Sequence, residues 1–236
     1  MDTSSLRVTW PGRFIPKLTP LSSICRSGVH PGFPTTLYCW RTPFDYGRKA
    51  LADFQLRVFK AYIGHPNILY RGINNFENLM TYLMFNPSRI LTFGPADFGI
   101  AQYFTPEFLV ARNYARHHGF ITVHSWPGPG SHTHKHLGEE EWKNYVKWNI
   151  ARYNQDLDSM PPRVEYDFDF IEGCISRDHN TIFTCQSPVP VSKYQIAAKT
   201  SAACQYMANN MIGILYFDED VNDISLINTN FIESCV

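Results

Sequence analysis

The chain has 236 residues, 44% hydrophobic and 15% aromatic, with 21 Lys plus Arg against 21 Asp plus Glu and a formal net charge of zero. That is enough apolar material for one large domain with a sizeable core, and the even charge balance excludes the broad basic field used to hold nucleic acid or anionic membrane. No apolar run approaches the length of a bilayer span, and Met1 to Arg7 lacks a basic stretch followed by an apolar core. A soluble, cytoplasmic or nuclear protein with no membrane partner is therefore expected. The cysteines Cys25, Cys39, Cys174, Cys185, Cys204 and Cys235 are scattered without a Cys-x-x-Cys pair, and reduced thiols are expected.

Residues 1–44 are rich in Pro, Gly and Ser yet carry Trp10, Phe14, Phe33, Tyr38 and Trp40, which is too aromatic for a free tail. They read as a cover docking on a domain over 45–212, with 213–236 a strand-rich extension of that domain. From Asp45 to Tyr62 the spacing of Leu51, Phe54, Val58, Phe59 and Tyr62 predicts a helix. After the turn signal His65-Pro66-Asn67, Leu69-Tyr70-Arg71-Gly72 reads as a strand, and Asn75 to Phe85 as a helix stopped before Asn86-Pro87. A glycine turn then leads into a short strand carrying Tyr103. Thr105 and Pro106 sit where an N-cap and a first helical position belong, ahead of Phe108, Ala111, Tyr114 and Ala115 at helical spacing. Phe120 to Trp126 has strand composition and ends at Pro127-Gly128-Pro129-Gly130. Glu139 to Tyr153 is helical in period, Ser201 to Ala208 is helix-like, and Phe168 to Ile171, Lys193 to Ala198 and Gly213 to Phe217 read as strands. Helices interleaved with short strands predict a mixed sheet.

Tyr70-Arg71-Gly72, Tyr103-Phe104-Thr105 with the later Tyr114, and Lys193 to Thr200 occur in an order and spacing that resembles the ADP-ribosyltransferase fold, in particular small fungal and bacterial proteins of that superfamily. The resemblance covers roughly Ile68 to Met207, including Glu140 to Lys143 and Tyr166 to Gly173. It implies an α+β domain with a split, mostly antiparallel mixed sheet and flanking helices, binding NAD as substrate. It further implies either transfer of ADP-ribose to an acceptor, a protein among the candidates, or hydrolysis of NAD. In active relatives the third motif supplies a Glu, and here Gln195 stands in its place.

Each assignment has a chemical reason. Cleaving nicotinamide from NAD builds positive charge on the ribose, so the site must bind phosphate, hold a flat ring and support a cation. Arg71 offers a permanently charged fork of donors and, with Gly72, is assigned to cofactor binding. Tyr103 and Tyr114 offer flat walls for nicotinamide, with Thr105 beside them. Gln195 can accept a ribose hydroxyl but supplies no charge, so it needs a carboxylate nearby. Glu172 and Asp169 are the first candidates and Glu165 the next. Gln195 and Glu172 are the catalytic pair on this reading. The bland alternatives are a surface ion pair for Arg71, core packing for Tyr103, and a strand end with its turn for Glu172-Gly173. The missing Glu also leaves open a non-catalytic nucleotide- or protein-binding module of the same fold.

Ser131-His132-Thr133-His134-Lys135-His136 places imidazoles at alternate positions, which an extended backbone would turn to one side as a Zn or Ni site. With no Cys partner or His-Glu-x-x-His pattern, the stretch reads as a solvated loop and no metal is expected.

Overall fold

The computed structural model describes residues 38–42, 68–74, 78–79, 96–116, 119–154, 167–177, 187–217 and 225–228. The helix expected over Asp45–Tyr62, most of that over Asn75–Phe85, and Glu165 lie outside the described residues. The chain is mixed α/β and forms two compact units, each assembled from separated stretches: 1–87, 108–127 and 207–236 in the first, 88–107 and 128–206 in the second.

The first unit holds a five-stranded sheet of β1 (Tyr38–Thr42), β2 (Ile68–Ile73), β4 (Phe120–Ser125), β8 (Met211–Phe217) and β9 (Ser225–Asn228), in the order β2-β4-β8-β1-β9. All neighbours are antiparallel except β1 and β8. β1, expected as the end of a docked cover, is thus a strand inside the sheet. β4 and β8 are buried along their whole lengths, which accounts for their unbroken apolar character. The helix α1 (Phe108–Ala115) covers the face formed by Ile68, Tyr70, Ile121, Val123, Leu215 and Phe217, packing Ala111 and Ala115 on it. It ends at Arg116, whose φ of 60° is the left-handed conformation of a helix terminus.

Gly72 is the point where α1 touches β2. A Cβ there would overlap the Ala111 carbonyl oxygen and lie 2.8 Å from Ala115 N, both backbone atoms that cannot swing aside. The glycine of Tyr70-Arg71-Gly72 is therefore fixed by the helix above it.

The second unit holds a four-stranded sheet of β3 (Gln102–Phe104), β5 (His134–His136), β6 (Phe170–Ser176) and β7 (Pro190–Ala198), in the order β3-β7-β6-β5, antiparallel except β5 with β6. The helix α2 (Glu139–Asn154) packs Trp142, Tyr145, Val146 and Ile150 with Ile171, Ala197 and Phe98. Gly173 lies mid-strand and not in the turn its sequence allowed. A Cβ there would stand 2.9 Å from Trp142 Cδ1, and the Trp142 indole N–H donates to the Cys174 carbonyl at 2.7 Å. The expected His132–His136 loop is in part the edge strand β5, held by parallel pairing to β6. A third helix, α3 (Ser201–Asn209), follows β7, and the division between the units falls within it. Among the described residues no helix is long and apolar enough to cross a membrane.

Gly72→Ala is expected to destabilise the protein by about 3 kcal/mol, because α1 must lift off β2 to admit one methyl group. Urea denaturation of the two proteins measures it, and a loss below about 1 kcal/mol would mean that α1 is not seated on Gly72.

Candidate functional site

Strand alternation decides which residues can act together. On β7, Gln195 lies opposite Gly173 and Tyr194 opposite Cys174, while Glu172 lies opposite Ile196. Gln195 therefore shares the face of Ala197 and Ile171, under α2, and Glu172 points to the other face. The two expected catalytic residues are on opposite sides of one sheet.

Gln195 is 6% exposed, and its amide N–H₂ donates to Asp97 Oδ2 at 2.7 Å and to the Cys174 carbonyl at 3.4 Å. Asp97, 3% exposed, also accepts the Ser176 N–H at 2.9 Å and the Ser176 hydroxyl at 2.5 Å. The carboxylate that Gln195 needed is thus Asp97, a residue the sequence reading passed over, and not Glu172 or Asp169. Asp169 is engaged elsewhere. It accepts the Thr133 N–H and hydroxyl at 3.0 and 3.1 Å and the Thr200 hydroxyl, bonds that hold its carboxyl below the usual carboxylate range, the Thr200 bond contributing most.

Tyr103 lies on the Gln195 face, opposite Ala197. Its hydroxyl donates to the Gly99 carbonyl at 2.7 Å and accepts the Phe98 N–H at 2.9 Å, while its ring stacks on Phe98 with centroids 6.2 Å apart. It clamps the turn that presents Asp97. Thr105 donates to the Tyr194 carbonyl at 2.7 Å and accepts the Glu107 N–H at 3.1 Å, and Glu107 in turn accepts the Tyr194 N–H at 3.0 Å. Because Thr105 and Glu107 are tied to β7 in this way, the helix begins at Phe108, later than an N-cap at Thr105 would place it.

In the first unit, Arg71 lies opposite Thr122, on the face away from α1, whereas Gly72 lies under α1 and Tyr114 is a 60% exposed residue of that helix. Arg71 and Tyr114 therefore belong to opposite sides of β2. On the Arg71 face His124 is fully buried. Its Nδ1 lies 2.8 Å from the Met207 carbonyl and its Nε2 2.9 Å from the Thr122 hydroxyl. A carbonyl only accepts, so the proton sits on Nδ1 and Thr122 donates to Nε2. Burial first, and the Arg71 charge as well, bring the His124 pKa down to about 3.

The other face of the second sheet carries the accessible polar cluster. Glu172 Oε2 lies 3.3 Å from His134 Nε2 and Oε1 lies 3.1 Å from His136 Nδ1, while His136 Nδ1 is also 2.6 Å from the Tyr194 hydroxyl. Burial, followed by the charge and the hydrogen bond of Glu172, pushes the Tyr194 hydroxyl pKa well up. His132 pairs instead with Asp169 at 3.6 Å. Among the described residues no three His, Cys, Asp or Glu side chains are placed to hold a metal ion.

Comparison with family models, with curated proteins and with solved structures returned no match.

Two outcomes follow. Gln195→Glu would set a second carboxylate beside Asp97 within hydrogen-bond distance. Its folded pKa would rise above the unfolded value near ~4.3, so the variant should match wild-type stability at acid pH and lose it progressively as pH climbs through that raised pKa. Thermal melts from about pH 4 to about pH 8 test this, and an unchanged melting temperature at pH 8 would contradict the Asp97 pairing. His124 behaves in the opposite sense. With its folded pKa near 3, the unfolded chain binds the extra proton below about 6.5, so stability is full above that pH and falls on acidification toward 3. Nitrogen NMR should find this imidazole neutral and Nδ1-protonated at about pH 5, and an imidazolium there would refute the assignment.

Proposed function

We propose that the chain is an ADP-ribosyltransferase-like domain that binds NAD and passes ADP-ribose to an acceptor or to water. The observation that carries the reading is the packing of α1 on Gly72. The helix that carries Tyr114 rests on the strand of Tyr70-Arg71-Gly72 so closely that only glycine fits, which sets the helix of the second motif on the strand of the first. The adjacent placement of β3 and β7 adds to it, because the second and third motifs then lie on neighbouring strands.

Arg71 binds the pyrophosphate or a ribose oxygen of NAD. Its charge does not titrate, and the neutral imidazole of His124 beside it adds no second positive charge. Gln195 holds Asp97 and keeps β7 in place under α2, and Glu172 is a partly exposed carboxylate on the opposite face. The engagement of Gln195 in a buried pair favours a second reading, a non-catalytic nucleotide- or protein-binding module of the same fold.

Calorimetry with NAD on wild type and Arg71→Ala, with nicotinamide release followed in the same samples, separates these readings. The expected result is binding by the wild type, weakened by about 1.5–3 kcal/mol in Arg71→Ala, or about ten- to a hundredfold in Kd, together with nicotinamide release. Binding without release would leave the module. No binding by wild type would sink the NAD reading altogether.

A further inference from the structure

We draw no further inference here: the strongest candidate, the cluster of His134, His136, Glu172 and Tyr194 on the face of the second sheet away from α2, belongs to the site already described, and nothing in the structure shows what it would hold.

Discussion

The two-residue period of β6 and β7 governs what the second unit can be. One face of each strand must satisfy α2, whose Trp142, Tyr145, Val146 and Ile150 demand apolar or small partners, and the residues that meet them are Ile171, Gly173 and Ala197. Gln195 falls on that face by register alone. A polar side chain under a helix needs a partner, because a buried amide left without one costs about 1–3 kcal/mol. Asp97 answers that need, and the requirement is mutual. A buried carboxylate is tolerable only when donors surround it, and Ser176 supplies a backbone and a hydroxyl donor where Gln195 supplies the amide. Tyr103 completes the arrangement by clamping the turn that delivers Asp97.

The same period sets a polar cluster on the opposite face. Glu172 sits one residue from Gly173 and so escapes α2. It is the carboxylate met by His134 and His136 from the edge strand, with Tyr194 joining at His136. The edge strand is short and partly exposed, which leaves the ring of His136 reachable while its Nδ1 stays engaged. The buried carboxylate of Asp97 and the partly exposed one of Glu172 thus lie on opposite faces of one sheet, and the distinction comes from register and not from residue type.

The segments with strong periodicity were legible in the sequence: β4, β8, α1, α2 and α3 lie close to where their apolar spacing placed them, because each buries a face long enough to leave a pattern. β5 was not legible, since His134-Lys135-His136 has no apolar face and is a strand only through its pairing with β6. β1 was hidden for a related reason: its place between β8 and β9 is a long-range pairing that no local signal announces. At the site, alternate histidines did suggest a shared side, but the carboxylate they share lies 36 residues away in sequence and could not be assigned. Asp97 was missed because an Asp before Phe-Gly is also ordinary turn chemistry, and its partner Ser176 is 79 residues distant.

On the Arg71 face of the first unit a cation and a histidine are neighbours, which in water would be mildly repulsive and in a buried sheet costs more. The sheet avoids the cost by keeping the imidazole neutral: Nδ1 is committed to the Met207 carbonyl and Nε2 to the Thr122 hydroxyl. A protonated His124 would have to sit in low dielectric and face Arg71, and these two outweigh the Met207 hydrogen bond that favours the charged form. Between that histidine and Arg71, only the guanidinium is charged across the whole physiological range. An anion approaching that face would meet a charge that does not change with pH.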